Sequence, residues 1–169
     1  VEDTVPGADS GLVQYVSFCF VDEQTICTDA DFLVGGNLAL ARESEGLELD
    51  AEVVGRGVRA GLEGKARYLI AELAGEAVGQ LMLTTEWSDW RSREVWWIQS
   101  VYVLPAARRR GVYRTLYATV MERARAAGVG GVRLYVDLRN EPAIATYRDL
   151  GMDGGHYQLF EAMLAPEAP

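Results

Sequence analysis

The chain is poor in the residues that build metal centres, disulfide frameworks and membrane spans. It has one histidine, His156, and two cysteines, Cys19 and Cys27, in 169 residues. Neither a CxxC nor an HxxxH spacing occurs, so no metal site is expected. Two cysteines near one end fit reduced thiols in a cytoplasmic protein, the location expected here. No apolar run approaches the roughly 20 residues that cross a bilayer. The stretch Leu12 to Val21 is too short and too interrupted, and no basic region precedes it, so neither a signal peptide nor a membrane partner is expected. Positive charge is also scarce. The net charge is -9, which argues against nucleic acid as a partner and suits a cationic one. One window reverses that balance. From Val95 to Met121 there is no Asp or Glu, while Arg108, Arg109, Arg110 and Arg114 all fall inside it. An acidic chain with one purely basic window has reason to hold an anion there. A solvated basic helix start is the plainer reading until the neighbouring residues are considered.

What is present suits one domain. Nearly half the residues are apolar, 49%, enough for a core in a chain of this size. Residues 1–11 are polar and punctuated by Gly and Pro and are expected to fray, leaving residues 12–169 as the domain. Val13 to Val21 reads as a strand. Thr28 and Asp31 have the spacing of a capping box, and a helix is expected from there to about Arg42. A densely acidic loop, Glu43 to Asp50, leads to a second helix ending near Ala60. Strands follow at Arg67–Leu73, Val78–Glu86 and Val95–Val103, with turns at Ala74-Gly75-Glu76 and Trp87–Arg93. Leu116, Val120, Ala124 and Ala127 recur at helical spacing, and Gly128 and Gly130 end that helix. Val132–Val136 reads as a strand, Glu141–Leu150 as a short helix, and Tyr157–Met163 as a last strand. The order is β-α-α-β-β-β-α-β-α-β. A strand–helix–strand passage from Val95 to Val136 demands a parallel pair. The fold class is therefore α/β, a mixed central sheet with helices on both faces.

The turn between Val103 and the helix starting near Gly111 carries the chemistry. A helix start exposes unpaired backbone N–H groups and about +0.5 of an elementary charge, and successive N–H groups can converge on a phosphate. Gly111 allows close backbone approach, and the arginines add charge-assisted bonds. The segment Arg108-Arg109-Arg110-Gly111-Val112-Tyr113 thus fits a pyrophosphate. It is neither a Walker A loop nor a GxGxxG dinucleotide fingerprint.

Arg108-x-x-Gly111-x-Tyr113, following Ser100-Val101-Tyr102-Val103-Leu104-Pro105, resembles the acetyl-CoA motif of the GNAT superfamily of N-acetyltransferases. Asn140-x-x-Ala143-x-x-x-Tyr147-x-x-x-Gly151-Met152 resembles that family's second signature. Together they span about residues 65 to 163. Tyr113 departs from the pattern, since the family usually has Gly or Ala there. The resemblance implies acetyl-CoA as cosubstrate, with its pantetheine arm in a wedge between the Val101–Val103 and Val132–Val136 strands, paired with backbone groups of Val101 and Val103. Those valines serve as strand core as well. The resemblance also implies that Tyr147 is the general acid that protonates the departing thiolate, and that Asn140 serves the cofactor's amide groups. Asn140, Ala143 and Tyr147 fall on one helix face. Buried packing for Tyr147 and an N-cap for Asn140 are the structural alternatives.

No general base is legible. Many relatives carry a Glu on the strand before the phosphate loop, where this chain reads Trp96-Trp97-Ile98-Gln99-Ser100. Gln99 can orient a substrate or a water but cannot take a proton. Glu94, Glu43 or Glu45 acting through water, or loss of the proton to solvent, are the options. For the acceptor, Glu43, Glu45 and Glu48 offer charge to an ammonium group. Trp87, Trp90, Trp96 and Trp97 offer a cation–π slot or simply close a hairpin. His156 reads as a packing residue. The function expected is acetyl transfer to a primary amine of a small molecule or peptide, by direct attack in a ternary complex. A non-catalytic acyl-CoA-binding module is the alternative. A longer acyl group is not excluded, and dimerisation, common in that fold, is left open.

Overall fold

The computed structural model of the chain describes residues 15–19 and 30–164. The expected fraying of residues 1–11, and the Thr28 half of the capping box, lie outside the described residues. The chain divides into two compact units, Val1–Leu134 and Tyr135–Pro169.

The first unit holds a five-stranded sheet in sequence order, β1 Tyr15–Cys19, β2 Arg67–Leu73, β3 Glu76–Ser88, β4 Arg93–Val103 and β5 Val132–Leu134. The first four strands run antiparallel. β5 joins β4 in parallel through Trp96–Val132, Trp97–Arg133 and Ile98–Leu134, as the strand–helix–strand passage demanded. Ala74 and Gly75, with φ of 54° and 83°, make the tight β2–β3 turn, a geometry that suits the strand twist.

Period-two alternation in the strands sets two cores. On one face, Leu69, Ala71, Leu81, Leu83, Trp96 and Ile98 pack against Val112, Leu116, Val120 and Ala124 of α3, Val112–Ala126. On the other, Tyr68 and Ile70 pack against Leu33 of α1, Ala30–Glu45, and against Val58 and Leu62 in and just after α2, Ala51–Ala60. Gly79 on β3 seats the start of α3. A Cβ there would stand 2.7 Å from Val112 Cγ1, inside any tolerable contact, so the missing side chain lets α3 begin against the sheet.

α1 runs past the expected end at Arg42 to Glu45, because its stop signal is Gly46, held at φ 71°. The Gly46 N–H donates to Arg42 O and the Leu47 N–H to Ala41 O, closing the helix with a left-handed glycine. Glu43 and Glu45 therefore stand on a helix rather than in a loop. α2 starts on Asp50, whose Oδ1 accepts from the N–H groups of Glu52 and Val53 at 2.7 and 3.2 Å.

The second unit contains α4, Glu141–Asp149. The expected last strand, Tyr157–Met163, does not form. Those residues carry no strand geometry, and Phe160 is 85% and Met163 86% exposed. Their aromatic and apolar side chains favour a strand, but a strand holds only with a ladder partner, and none pairs with them among the described residues. β5 likewise stops at Leu134, short of the expected Val136.

Candidate functional site

The geometry of β4 comes first, since everything else hangs from it. Met82 pairs with Ser100 and Leu83 with Ile98, so Gln99 is an extra residue, a β-bulge. Past the bulge the Leu104 N–H donates to Val78 O, which directs Tyr102 toward β3 as well. Alternation then sends the N–H and C=O of Val101 and Val103 to the opposite edge. On that edge the ladder to β5 ends at Ile98 and Leu134. From Gln99 to Val103 the strand has no ladder partner on that side among the described residues. Val101 and Val103 lie on this unpaired edge.

The chain leaves β4 through a short 3-10 turn, Pro105–Ala107, with Ala107 buried. Arg108 is extended, Arg109 is left-handed at φ 61°, and Gly111 is left-handed at φ 81° and ψ 2°. Gly111 is the N-cap of α3, and its first turn receives no side-chain hydrogen bond among the described residues. A left-handed residue followed by a right-handed one turns successive N–H groups inward, into an anion-binding nest. Gly is needed at 111 because a Cβ disfavours that φ. The first-turn N–H groups of Val112 and Tyr113 have no intrahelical acceptor by construction. Arg109, Arg110 and Arg114 are exposed around this turn. Tyr113 turns its ring toward the core, 6.2 Å from the Tyr117 ring.

Arg108 is already engaged. Its Nε donates to Val103 O at 3.0 Å, and its Nη2 to Glu43 Oε2 at 2.5 Å. Its guanidinium lies 5.6 Å from the centre of the Tyr102 ring, and Tyr102 OH donates to the other Glu43 oxygen at 2.8 Å. Hydrogen bonds from Arg108 first, then from Tyr102, hold the Glu43 carboxyl below its usual value. Burial foremost, and then the Glu43 carboxylate, push the Tyr102 phenol up.

The α1 face of the sheet carries a second polar group toward the hairpin end. Gln99 Nε2 donates to Thr84 Oγ1 at 2.8 Å. Glu86 on β3 accepts from Trp97 Nε1 at 2.5 Å and from Arg133 on β5 at 2.9 Å. The structure thus joins Gln99 to Thr84 and gives Glu86 a place the sequence did not suggest. Nothing local marks it, because its partners lie on two other strands. Ser100 Oγ, beside the bulge, is buried with no hydrogen-bond partner among the described residues. Glu45 stands exposed, and Glu48 pairs with Arg42. Trp87 is exposed and Trp90 is 91% exposed. No His, Cys, Asp or Glu cluster that could hold a metal occurs among the described residues. No helix there is long and apolar enough to cross a membrane.

In the second unit, Asn140 caps α4. Its Oδ1 accepts from the Ala143 N–H at 3.2 Å, and Pro142 sits in the first turn. Asn140, Ala143, Ile144 and Tyr147 make the less exposed side of this helix. Burial pushes the Tyr147 phenol above its ordinary value. Asp137 is drawn down to about 2 by Arg139, which bonds it through side chain and backbone.

The acetyltransferase (GNAT) family model matches residues 40–152. Over 87 residues the chain is 32% identical to an uncharacterised N-acetyltransferase of Methanocaldococcus jannaschii. The match takes in 51% of this chain and 38% of that relative, so it spans well under half the relative's length. The solved structure of a possible acetyltransferase from Clostridium difficile 630 superposes with a TM-score of 0.78 at 35% identity, covering 89% of this chain and 99% of that one. An aminoglycoside N-acetyltransferase solved in complex with CoA superposes with a TM-score of 0.69 at 18% identity, over 89% of this chain and 96% of its own. That last likeness is one of fold.

Proposed function

The chain belongs to the acetyltransferase (GNAT) family, and from that premise we propose that it moves an acetyl group from acetyl-CoA to a primary amine of a small molecule or peptide. The observation that carries this reading is the open edge of β4 followed, along the chain, by a start of α3 with no side-chain cap among the described residues. One part suits amides in an extended chain, and the other suits a pyrophosphate.

The N–H groups of Gly111, Val112 and Tyr113 would take the pyrophosphate, with Arg109, Arg110 and Arg114 adding attraction. The pantetheine arm would pair with Val101 and with the Val103 N–H, since the Val103 carbonyl already accepts from Arg108. The slot closes where Ile98 pairs with Leu134, so an arm entering from Gly111 ends its run beside Gln99 and Ser100. There the amine nitrogen bonds to the thioester carbonyl carbon, the C–S bond breaks, and the thiolate takes a proton. Tyr147 is assigned that proton by the family resemblance. A phenol is protonated at neutral pH at its ordinary value, and burial shifts Tyr147 further in that direction, so it has a proton to give. Asn140 is assigned to the cofactor's amides on the same ground, alongside its capping role.

β4 carries no carboxylate from Val95 to Val103. An ammonium acceptor would therefore lose its first proton to water or to a carboxylate outside that stretch, and the nitrogen would release a second proton to solvent as the amide forms. The net charge of -9 and the exposed Glu45 favour a cationic acceptor, with Gln99 and Trp87 in the acceptor region. The test is thiol release from acetyl-CoA across a panel of amines. Thiol release with at least one amine is expected. CoA binding with no release on any of them would favour an acyl-CoA-binding module, and no CoA binding at all would sink the reading.

A further inference from the structure

The first arginine of the phosphate loop looks, in sequence, like the residue that meets the anion. In the structure it faces the other way. Arg108 spans from the last carbonyl of β4 to a carboxylate on α1, and Tyr102 of β4 closes the group by donating to that same carboxylate. Two segments far apart in sequence, α1 and the end of β4 with the loop after it, meet here. Tyr102 is 6% exposed, so the group is anchored on the sheet.

The loop it ties down needs anchoring. Arg109 is a non-glycine residue in the left-handed region, a conformation that persists only where the surroundings over-determine it. Ala107, buried beneath α3, fixes the loop on one side of Arg109, and Gly111 opens the helix on the other. The Arg108 side chain is a further tether. Its charge is matched by Glu43, so the attraction for an anion falls on Arg109, Arg110, Arg114 and the helix start.

We propose that Glu43 is a positioning residue for the cofactor. By holding Arg108 across the Val103 carbonyl, it keeps the Arg108–Gly111 loop in the shape whose backbone N–H groups bind the CoA pyrophosphate. This rests on the acetyl-CoA reading above and assigns the α1 carboxylate to the cofactor side rather than to the amine acceptor. Arg108 then contributes through geometry, with the backbone as the phosphate ligand.

The test is CoA affinity by calorimetry on the full chain, with acetyl-transfer kinetics alongside. Glu43→Gln is expected to weaken CoA binding about threefold, the scale of a part-exposed ion pair, and raise KM for acetyl-CoA similarly, while kcat at saturation and KM for the amine stay unchanged. Glu43→Asp should recover part of the loss. Arg108→Gln should lose as much as Glu43→Gln, and the double variant no more than either alone, since both break one tether. Tyr102→Phe, which keeps the ring and the ion pair, should lose about twofold and serves if Glu43→Gln folds poorly. CoA affinity unchanged in Glu43→Gln and Tyr102→Phe would overturn the inference, as would a shift confined to KM for the amine. Additive losses in the double variant would also overturn it. If the unaltered protein binds no CoA, the functional reading fails and takes this inference with it. If it binds CoA and the variants match it, only this inference fails.

Discussion

The starts of α3 and α4 solve the same problem in opposite ways. Every helix begins with backbone N–H groups that its own turns cannot satisfy. α4 satisfies one from within, since Asn140 Oδ1 takes the Ala143 N–H and Pro142 has no N–H to offer. α2 does the same through Asp50. α3 begins on a left-handed glycine with no side-chain cap among the described residues, and a capping Ser or Thr there would gain only about a few tenths of a kcal/mol over Gly against the strain of that φ. Among the described residues α2 and α4 carry side-chain caps and α3 carries none, beside three exposed arginines. The comparison also separates two kinds of proposed role. Around α3 the proposed binding falls to the backbone, with side chains shaping it. On α4 the side chains themselves, Asn140 and Tyr147, carry the assigned roles.

That division can be broken by experiment. The largest expected effect is on the chemistry assigned to α4. Tyr147→Phe should lower turnover by ~10²-fold, the usual scale of general acid catalysis, and leave CoA affinity unchanged. Stopped-flow thiol release and calorimetry together decide it, and undiminished turnover removes Tyr147 from the mechanism. Next is Gly111→Ala. A side chain in the left-handed region costs roughly 1–2 kcal/mol, so CoA binding should weaken about tenfold while kcat at saturation holds. A variant that loses kcat and keeps its affinity would mean that the start of α3 is not the binding half.

A smaller effect sharpens the contrast. Asp50→Ala and Asn140→Ala each remove a cap worth about 1 kcal/mol, measurable in chemical denaturation. Asp50→Ala should leave CoA affinity untouched. Asn140→Ala should also weaken CoA binding if its amide serves the cofactor, and an affinity equal to that of the unaltered protein would reduce Asn140 to a cap. The smallest effect is in pH. Glu43 is held below its ordinary 4.5, so whatever its ion pair contributes is complete above that value and is lost as pH falls through the lowered one. The CoA affinities of the unaltered protein and of Glu43→Gln should differ above the ordinary 4.5 and converge as the pH falls through the lowered value. The group is about two-fifths exposed, so solvent screens it and the difference is modest. A gap that persists unchanged at low pH would show that the charge of Glu43 is not what matters.

Much of this was legible along the chain, because it is local. Alternation marks the strands, and the turn at Ala74-Gly75 marks the β2–β3 hairpin. The recurrence of Leu116, Val120 and Ala124 marks α3, and the basic window around its start marks the exposed arginines there. Gly111 was expected for close approach, and its left-handed φ adds a second reason for it. What was not legible depends on pairs distant in sequence. The Gln99 bulge exists only against β3. Arg108 reads as a free cation until α1 is folded beside it. Glu86 reads as an ordinary strand carboxylate until Trp97 and Arg133 stand on either side. The Tyr157–Met163 strand was expected from composition alone, and composition cannot supply a ladder partner.

The bulge at Gln99 has one more consequence. β4 is a strand written in two phases. From Arg93 to Ile98 the even-numbered side chains face α3, and from Ser100 to Val103 the odd-numbered ones do, with Gln99 absorbing the step. In a regular strand of the same residues, Tyr102 would swing to the α3 face, away from Glu43. The backbone groups of Val101 and Val103 would turn into β3, and the open edge would present different atoms. Conservative substitutions between Ile98 and Val101 leave that offset in place, whereas gain or loss of a single residue there resets it. The open edge is in this sense encoded by a count of residues as much as by their identity.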